Sequence, residues 1–468
     1  MAEAPLEPPL EPPRAPHLEP PWPAPLPYTP NVLRRLARGW RSWFGLLNEW
    51  DFRVALGELN LLGLPVFLVN EPSLVRRVLV EEVDAFPKHP YTQWILEPLI
   101  GRAIFSVNGE EWARQRRLVD QVFQAAQLQR VFPAMAEAIE ALLQRLEGGD
   151  TPIDIDAAMT QVTADVIVRT ILSRPLAQGE AGEVFAAFAR YQRRAARALV
   201  LRFLHLPAGL VQRSLRRDAR VIRAWLEQAI AERLEAPAAA PANDLLACLI
   251  AARDPQGGGG FSPEELLDQV CFLFLAGHET SASALGMAAW LLALAPDAQE
   301  RLRQEVRAVA GSAPLQPEHL RQLSYGAAVF NETLRLYPPV SFFIRERQGT
   351  ATELAAAGRL SRCPVGALLT LSPWVIQRHE HHWPDPQGFR PERFLEQQKP
   401  EPFLPFGLGP RKCPGAAFAQ QEALLVLAEL VRRYALLPVP EQPPELVGRL
   451  TLRARTGLWL RLKGLVRT

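Results

Sequence analysis

Phe406-Gly407-Leu408-Gly409-Pro410-Arg411-Lys412-Cys413-Pro414-Gly415 sets one cysteine behind a glycine-rich approach and ahead of Ala416 to Leu430, a run of alanine, leucine and glutamate that reads as a helix. Cysteine binds metal as the thiolate, so a site of this kind has to lower its pKa, and a helix starting at Cys413 aims N–H groups and a positive dipole end at the sulfur. Gly407 and Gly409 let the backbone pass close to a flat, bulky group or turn with positive φ. Arg411 adds a fixed cation with several donors, suited to a carboxylate. A buried cysteine beside an ordinary glycine loop is the competing reading. The coincidence of ligand, glycines and arginine favours a metal site.

Glu264 to Leu294 reads as one long, largely apolar helix, which has to be buried. Gly277 inside it costs about 1 kcal/mol relative to alanine and needs a close approach to justify it. Thr280 can bond back to the carbonyl one turn earlier and bend the helix. Glu279 beside it is a titratable carboxylate in an apolar setting, either functional or a satisfied structural charge. His278 reads as a helix-surface or polar-pocket residue. Glu332 and Arg335 lie one helical turn apart and share a face. Trp112 and Arg116, within Gly109 to Arg117, read on their own as a core anchor and a surface charge.

The order F-x-x-G-x-R-x-C-x-G resembles the haem-binding loop of the cytochrome P450 family, and further motifs follow in that family's order from roughly Leu64 to the C-terminal region. The resemblance implies a mainly α fold with small β-sheets, the haem lying between the long central helix and the cysteine loop and helix. It makes Cys413 the axial ligand of the iron of haem b. Phe406, Gly407, Arg411 and Gly415 then contact the cofactor from the loop, and Ala276 and Gly277 from the central helix. Ala276-Gly277-His278-Glu279-Thr280-Ser281 looks like the oxygen-activation motif, with Glu279 and Thr280 as its acid and alcohol. Trp112, Arg116 and Arg345 are implied to bind haem propionates. Pro391-Glu392-Arg393-Phe394 supplies the arginine that joins Glu332 and Arg335 in a structural network behind the loop.

The implied function is a monooxygenase that hydroxylates or epoxidises an apolar small molecule, such as a fatty acid, terpene or polyketide-like compound. Its electrons would come from NAD(P)H through a separate ferredoxin and ferredoxin reductase, because the chain ends soon after the cysteine helix with no fused reductase, and Arg411 and Lys412 would face an acidic partner. A peroxide-driven peroxygenase and a non-catalytic haem-thiolate sensor are the alternatives. The intact Glu279–Thr280 pair argues against both.

Composition agrees. The chain has 468 residues, 48% of them hydrophobic, enough for one large core, and its net charge of +2 does not suit a nucleic-acid binder. Cys248, Cys271, Cys363 and Cys413 are scattered without C-x-x-C pairing, which disfavours zinc ribbons, iron–sulfur clusters and disulfides and fits a reducing cytosol. Residues 1–30 read as a proline-rich disordered or extended tail and 31–468 as a single domain. No signal peptide or transmembrane anchor is expected; Val32 to Trp50 reads as an opening helix packed on the body, with peripheral membrane contact as the alternative. Leu64 to Val69 reads as a strand, Glu71 to Val80 as a helix, and Pro87 to Val107 as a loop. Further helices are expected at Glu110 to Gln127, Phe132 to Leu146, Ile155 to Leu172, Glu183 to Leu204, Asp218 to Glu235, Pro296 to Ala310 and Tyr325 to Leu336. Arg193, Arg194, Arg197 and Arg202 read as a solvated helix face, with attraction of a carboxylated substrate as the alternative.

Overall fold

The structure, a computed structural model, describes residues 18–29, 31–146, 151–177, 179–204, 206, 209–235, 244–257, 259–396 and 401–465. Its axis is the central helix Pro263–Leu294. Ser262 starts it with a capping box: the Ser262 hydroxyl accepts from the Glu265 amide at 3.2 Å and the Glu265 carboxylate accepts from the Ser262 amide at 2.9 Å. Apolar on all sides, the helix is enclosed by the helices Ile155–Leu172, Ser324–Leu336 and Ala416–Arg433. The Thr163 hydroxyl donates to the His278 carbonyl at 3.0 Å, fixing the register of the first of these against the centre.

A four-stranded sheet flanks this helical body. Leu56–Leu61 pairs antiparallel with Leu64–Val69, which runs parallel to Leu368–Leu371, which in turn pairs antiparallel with Phe343–Glu346. In that register Arg345 stands opposite Leu369. A small ribbon, Leu446–Gly448 with Leu452–Ala454, turns back toward the central helix. The mainly α fold with small sheets is therefore the one expected.

The helices Ile155–Leu172 and Pro296–Ala310 have the expected bounds. Other readings differ. The helix expected over Glu110 to Gln127 ends at Val122, the one expected from Phe132 begins at Ala125, and the one expected from Asp218 begins at Gly209. Pro87 to Val107 is not a loop throughout: Pro90–Ile100 is a helix, begun by proline at its first position and by His89, whose ring accepts from the Tyr91 amide at 3.1 Å. The opening helix stops at Gly39 and is followed by the short turns Trp43–Leu46 and Glu49–Phe52, because the chain folds back so tightly that a Cβ on Gly39 would meet Leu46 at 2.5 Å. Glu71 to Val80 divides into Pro72–Arg76 and a wider turn, Arg77–Glu81.

Of the proline-rich segment, residues 1–17 and 30 lie outside the described residues. Residues 18–29 run extended along the body, where Trp22 packs edge-on against Phe52 at 5.6 Å and the Tyr337 hydroxyl donates to the Pro21 carbonyl at 2.8 Å. Among the described residues no single helix is long and apolar enough to cross a membrane.

Candidate active site

The cysteine loop is a tight turn. The Cys413 amide donates to the Phe406 carbonyl at 2.9 Å, and Gly407 and Gly409 hold φ of 74° and 72°. At Gly409 a Cβ would meet the Leu79 carbonyl oxygen at 2.1 Å, so the glycine is needed for a close approach to the protein's own backbone. The helix begins at Ala416, as the run from Ala416 to Leu430 predicts, with Gly415 as its cap, so Cys413 stands just ahead of its first turn. Burial pushes the Cys413 thiol up, against the opposing pull of the Gly415 amide, Arg116 and Lys412. The expected lowering of the thiol is thus not met by the protein alone.

Cys413 opens onto a cavity of about 1160 Å³ lined by Phe406, Gly407, Arg411 and Gly415 on the loop side and Ala276, Gly277, Glu279 and Thr280 on the central helix. Trp112, Arg116, Lys88 and Arg345 line it as well. The structure therefore brings every expected cofactor-side residue to one cavity. Arg116 donates to the carbonyls of Pro410 and Lys412 at 3.1 and 2.6 Å and pairs with Asp120 at 2.8 Å, bracing the loop. Arg411 turns inward, bonding the Val107 carbonyl and Asn108 side chain and stacking over Trp112 at 4.3 Å. Lys412 is the exposed one of the pair.

Sequence reasoning missed Lys88. It donates to the Phe105 carbonyl and sits 3.9 Å over the Phe105 ring, and its backbone bridges to Arg345. Lys88, Arg345 and Arg411 have no carboxylate within ion-pair distance among the described residues, and buried Nε of Arg345 has no hydrogen-bond partner. Burial, reinforced by the mutual repulsion of the cluster, drives Lys88 well below the usual lysine range. Burial likewise lowers Arg345 and Arg411, each to about 10. The one sequence signal was that Lys88 is among only four lysines in a chain that otherwise uses arginine.

On the central helix the Thr280 hydroxyl donates to the Ala276 carbonyl at 2.6 Å, as expected. Gly277 is explained by Ile167 of the neighbouring helix, whose Cδ1 lies 2.4 Å from where a Cβ would stand. Glu279 is held by Arg453 at 2.9 Å, the Thr451 hydroxyl at 3.1 Å and Gln192 at 3.0 Å, all on Oε2. Burial pushes its carboxyl up, but Arg453, His278 and Thr451 outweigh that and leave it below the usual range. His278 is not on a surface: it is buried among Phe185, Phe188 and Phe274, with Nδ1 bonded to the Phe274 carbonyl at 2.7 Å.

Behind the loop, Arg335 forms a two-pronged pair with Glu332 at 2.7 and 2.8 Å, and Arg393 reaches the same carboxylate at 3.1 Å. Arg335 also donates to the Gln377 carbonyl at 3.0 Å, and the Gln377 side chain accepts from the Leu404 amide at 2.8 Å. The three expected network residues are thus tied directly into the approach to Phe406.

A family profile described as Cytochrome P450 matches residues 55–458. The chain belongs to the cytochrome P450 family. It is 33% identical over 397 residues to the cyclooctatin synthase of Streptomyces melanosporofaciens, covering 82% of this chain and 83% of that one. It is 31% identical over 399 residues to the pentalenene oxygenase of Streptomyces avermitilis, covering 84% and 86%. A solved structure, the retinoic acid bound cyanobacterial CYP120A1, superposes with a TM-score of 0.75 at 27% identity, covering 88% of this P450 and 92% of that chain. This P450 is a monooxygenase, and membership of the family implies haem. The residues present fit that group: a thiol opens on a largely apolar cavity, and three cations with no ion-pair partner among the described residues, Arg411 alone feeling a more distant Asp84, cluster on its lining, where a dianion would complete them.

Proposed function

We propose that this P450 inserts one oxygen atom from O2 into a hydrophobic small molecule, by hydroxylation or epoxidation, with Cys413 as the axial thiolate of haem b. The trio Lys88, Arg345 and Arg411 carries the reading, because its missing counter-charges match two propionates. Trp112 and Arg116 join them, while Phe406, Gly407, Gly415, Ala276 and Gly277 would contact the faces of the ring. A thiolate-bound haem supplies dioxygen activation and oxygen-atom transfer.

The protein's part is to hold substrate and protons. Thr280 keeps its proton on Oγ1 by donating it to the Ala276 carbonyl, which leaves its lone pairs free to accept from a cavity water. Glu279 next to it stays ionised and takes a proton only when Arg453 yields. Glu332, Arg335 and Arg393 keep the loop in place. Electrons come from NAD(P)H through a separate ferredoxin and reductase, docking beside exposed Lys412, and the enzyme works in the cytosol. The names of its relatives, a pentalenene oxygenase among them, support a terpene-like substrate.

The test is turnover with a surrogate ferredoxin and reductase under labelled dioxygen. One labelled oxygen atom per product molecule, with matching NADPH consumption, is expected. Product formed only with added peroxide would replace the reading with a peroxygenase, and haem-loaded protein that turns over no apolar compound by either route would replace it with a sensor.

A further inference from the structure

We infer that Arg449 is an anion anchor in the wall of the active-site cavity, and that the substrate is an apolar molecule bearing a carboxylate. The inference rests on the monooxygenase reading of that cavity. Arg449 occupies the turn between the strands Leu446–Gly448 and Leu452–Ala454, and this turn is clamped on both sides. On one side the Gly448 amide donates to the Ser42 hydroxyl at 2.9 Å, and Trp43 packs so closely that a Cβ on Gly448 would meet its Nε1 at 2.0 Å. On the other, the Thr451 hydroxyl donates to Glu279 at 3.1 Å, while within the turn the Arg449 amide donates to the Thr451 carbonyl at 3.1 Å. The backbone that carries Arg449 is thus set in position before any ligand arrives.

Arg449 lines the cavity together with Leu450 and Thr451, is half-buried, and has no side-chain hydrogen bond or ion pair among the described residues. The nearby carboxylates are already engaged. Glu279 and Asp156 pair with Arg453, and Glu445 pairs with Arg455. The other charges that act on Arg449 are cationic: Arg193 from the helix Gly182–Phe203, and Arg453 and Arg455 from its own ribbon. Burial first, then these three, pull its guanidinium below the usual arginine range. A half-buried cation among cations is unfavourable unless an anion joins it. The described residues supply none, whereas the cavity admits a ligand.

A guanidinium offers two parallel N–H donors, the match for the two oxygens of a carboxylate. Much of the wall is apolar, with Leu450, Val340, Phe342, Leu46 and Leu47 among its residues, so the anion belongs to a hydrophobic body. Thr451 touches Glu279, and Thr280 follows Glu279 on the same helix. Arg449, Thr280 and Cys413 line one cavity, so a molecule held by its acid at Arg449 presents a carbon remote from the acid group for oxidation.

Hexadecanoic acid and abietic acid, each against its primary alcohol, should be titrated into the haem-loaded enzyme and the variants Arg449→Gln and Arg449→Lys, with binding read by the substrate-induced spin shift and by calorimetry. At least one acid is expected to bind about tenfold or more tightly than its alcohol, as a charge-assisted pair gives. Arg449→Gln should bring that ratio near one by weakening the acid, and Arg449→Lys should retain part of it. Acids that bind no better than their alcohols, or a preference that survives in Arg449→Gln, would overturn the proposal. Failure of the monooxygenase reading is read separately, from the haem spectrum, since calorimetry reports the acid–alcohol difference whatever that spectrum shows.

Discussion

Arg453 Nη2 lies 2.9 Å from Glu279 Oε2, and Nη1 of the same arginine lies 2.9 Å from Asp156. One guanidinium therefore joins the central helix, the helix Ile155–Leu172 and the C-terminal ribbon. Glu279 carries a structural load in addition to any part in proton delivery. Removing one partner of a buried pair costs about 3–5 kcal/mol, so Glu279→Gln is expected to lower the Tm markedly. Thr280→Ala loses one hydrogen bond, worth about 0.5–1.5 kcal/mol, and should leave the Tm nearly unchanged while altering turnover. Thermal melts of the two variants check this; equal melting would show that the pair carries no load.

Glu422 titrates the other way. It is fully buried, neither carboxyl oxygen has a hydrogen-bond partner among the described residues, and burial pushes it up to about 8 against a pull from Ser281. The folded protein thus holds a proton that the unfolded chain releases near its ordinary value of 4.5. Its contribution to stability is full below that value and declines as pH rises toward 8. Glu422→Gln should flatten this decline and be more stable than the parent by a few kcal/mol above pH 8. Parallel melts between pH 5 and about 9 measure it, and identical slopes would show that Glu422 does not hold the proton.

The cation trio predicts opposite effects with and without cofactor. Lys88→Met removes one of three clustered charges, so the haem-free variant should be at least about 1 kcal/mol more stable than the haem-free parent. The loaded variant should lose haem faster than the loaded parent. Melts of the haem-free protein and the rate of haem transfer to an acceptor are the readouts; unchanged haem loss would remove Lys88 from the cofactor's surroundings.

Gly277→Ala places a methyl 2.4 Å from Ile167 Cδ1. Overpacking of this kind costs about 1–3 kcal/mol. Adding Ile167→Val deletes that carbon and should recover part of the loss. A double-mutant cycle with no coupling between the two would place the need for glycine elsewhere.

Much of the fold was legible because its signals are local. Asp154, whose carboxylate accepts from the Asp156 amide at 3.1 Å, and Pro296 mark helix starts that any reader of the sequence can find. Pro90–Ile100 was obscured by Pro98 inside it. The residues around the cavity come from distant segments, and only the family resemblance joined Trp112, Arg345 and Cys413 before the structure did. Lys88 and Arg449 carried no motif, since what distinguishes each is the absence of a counter-ion among the described residues in three dimensions. The grip of Arg453 on Glu279 spans 174 positions, beyond any periodicity.

In the proposed function Cys413 would hold the haem iron as its thiolate ligand. The carbon monoxide difference spectrum of the dithionite-reduced enzyme tests it most directly. The account predicts the red-shifted Soret band of a thiolate-ligated carbonyl haem, lost in Cys413→Ser. A shorter-wavelength band in well-folded protein, or a red-shifted band that survives in Cys413→Ser, would contradict it.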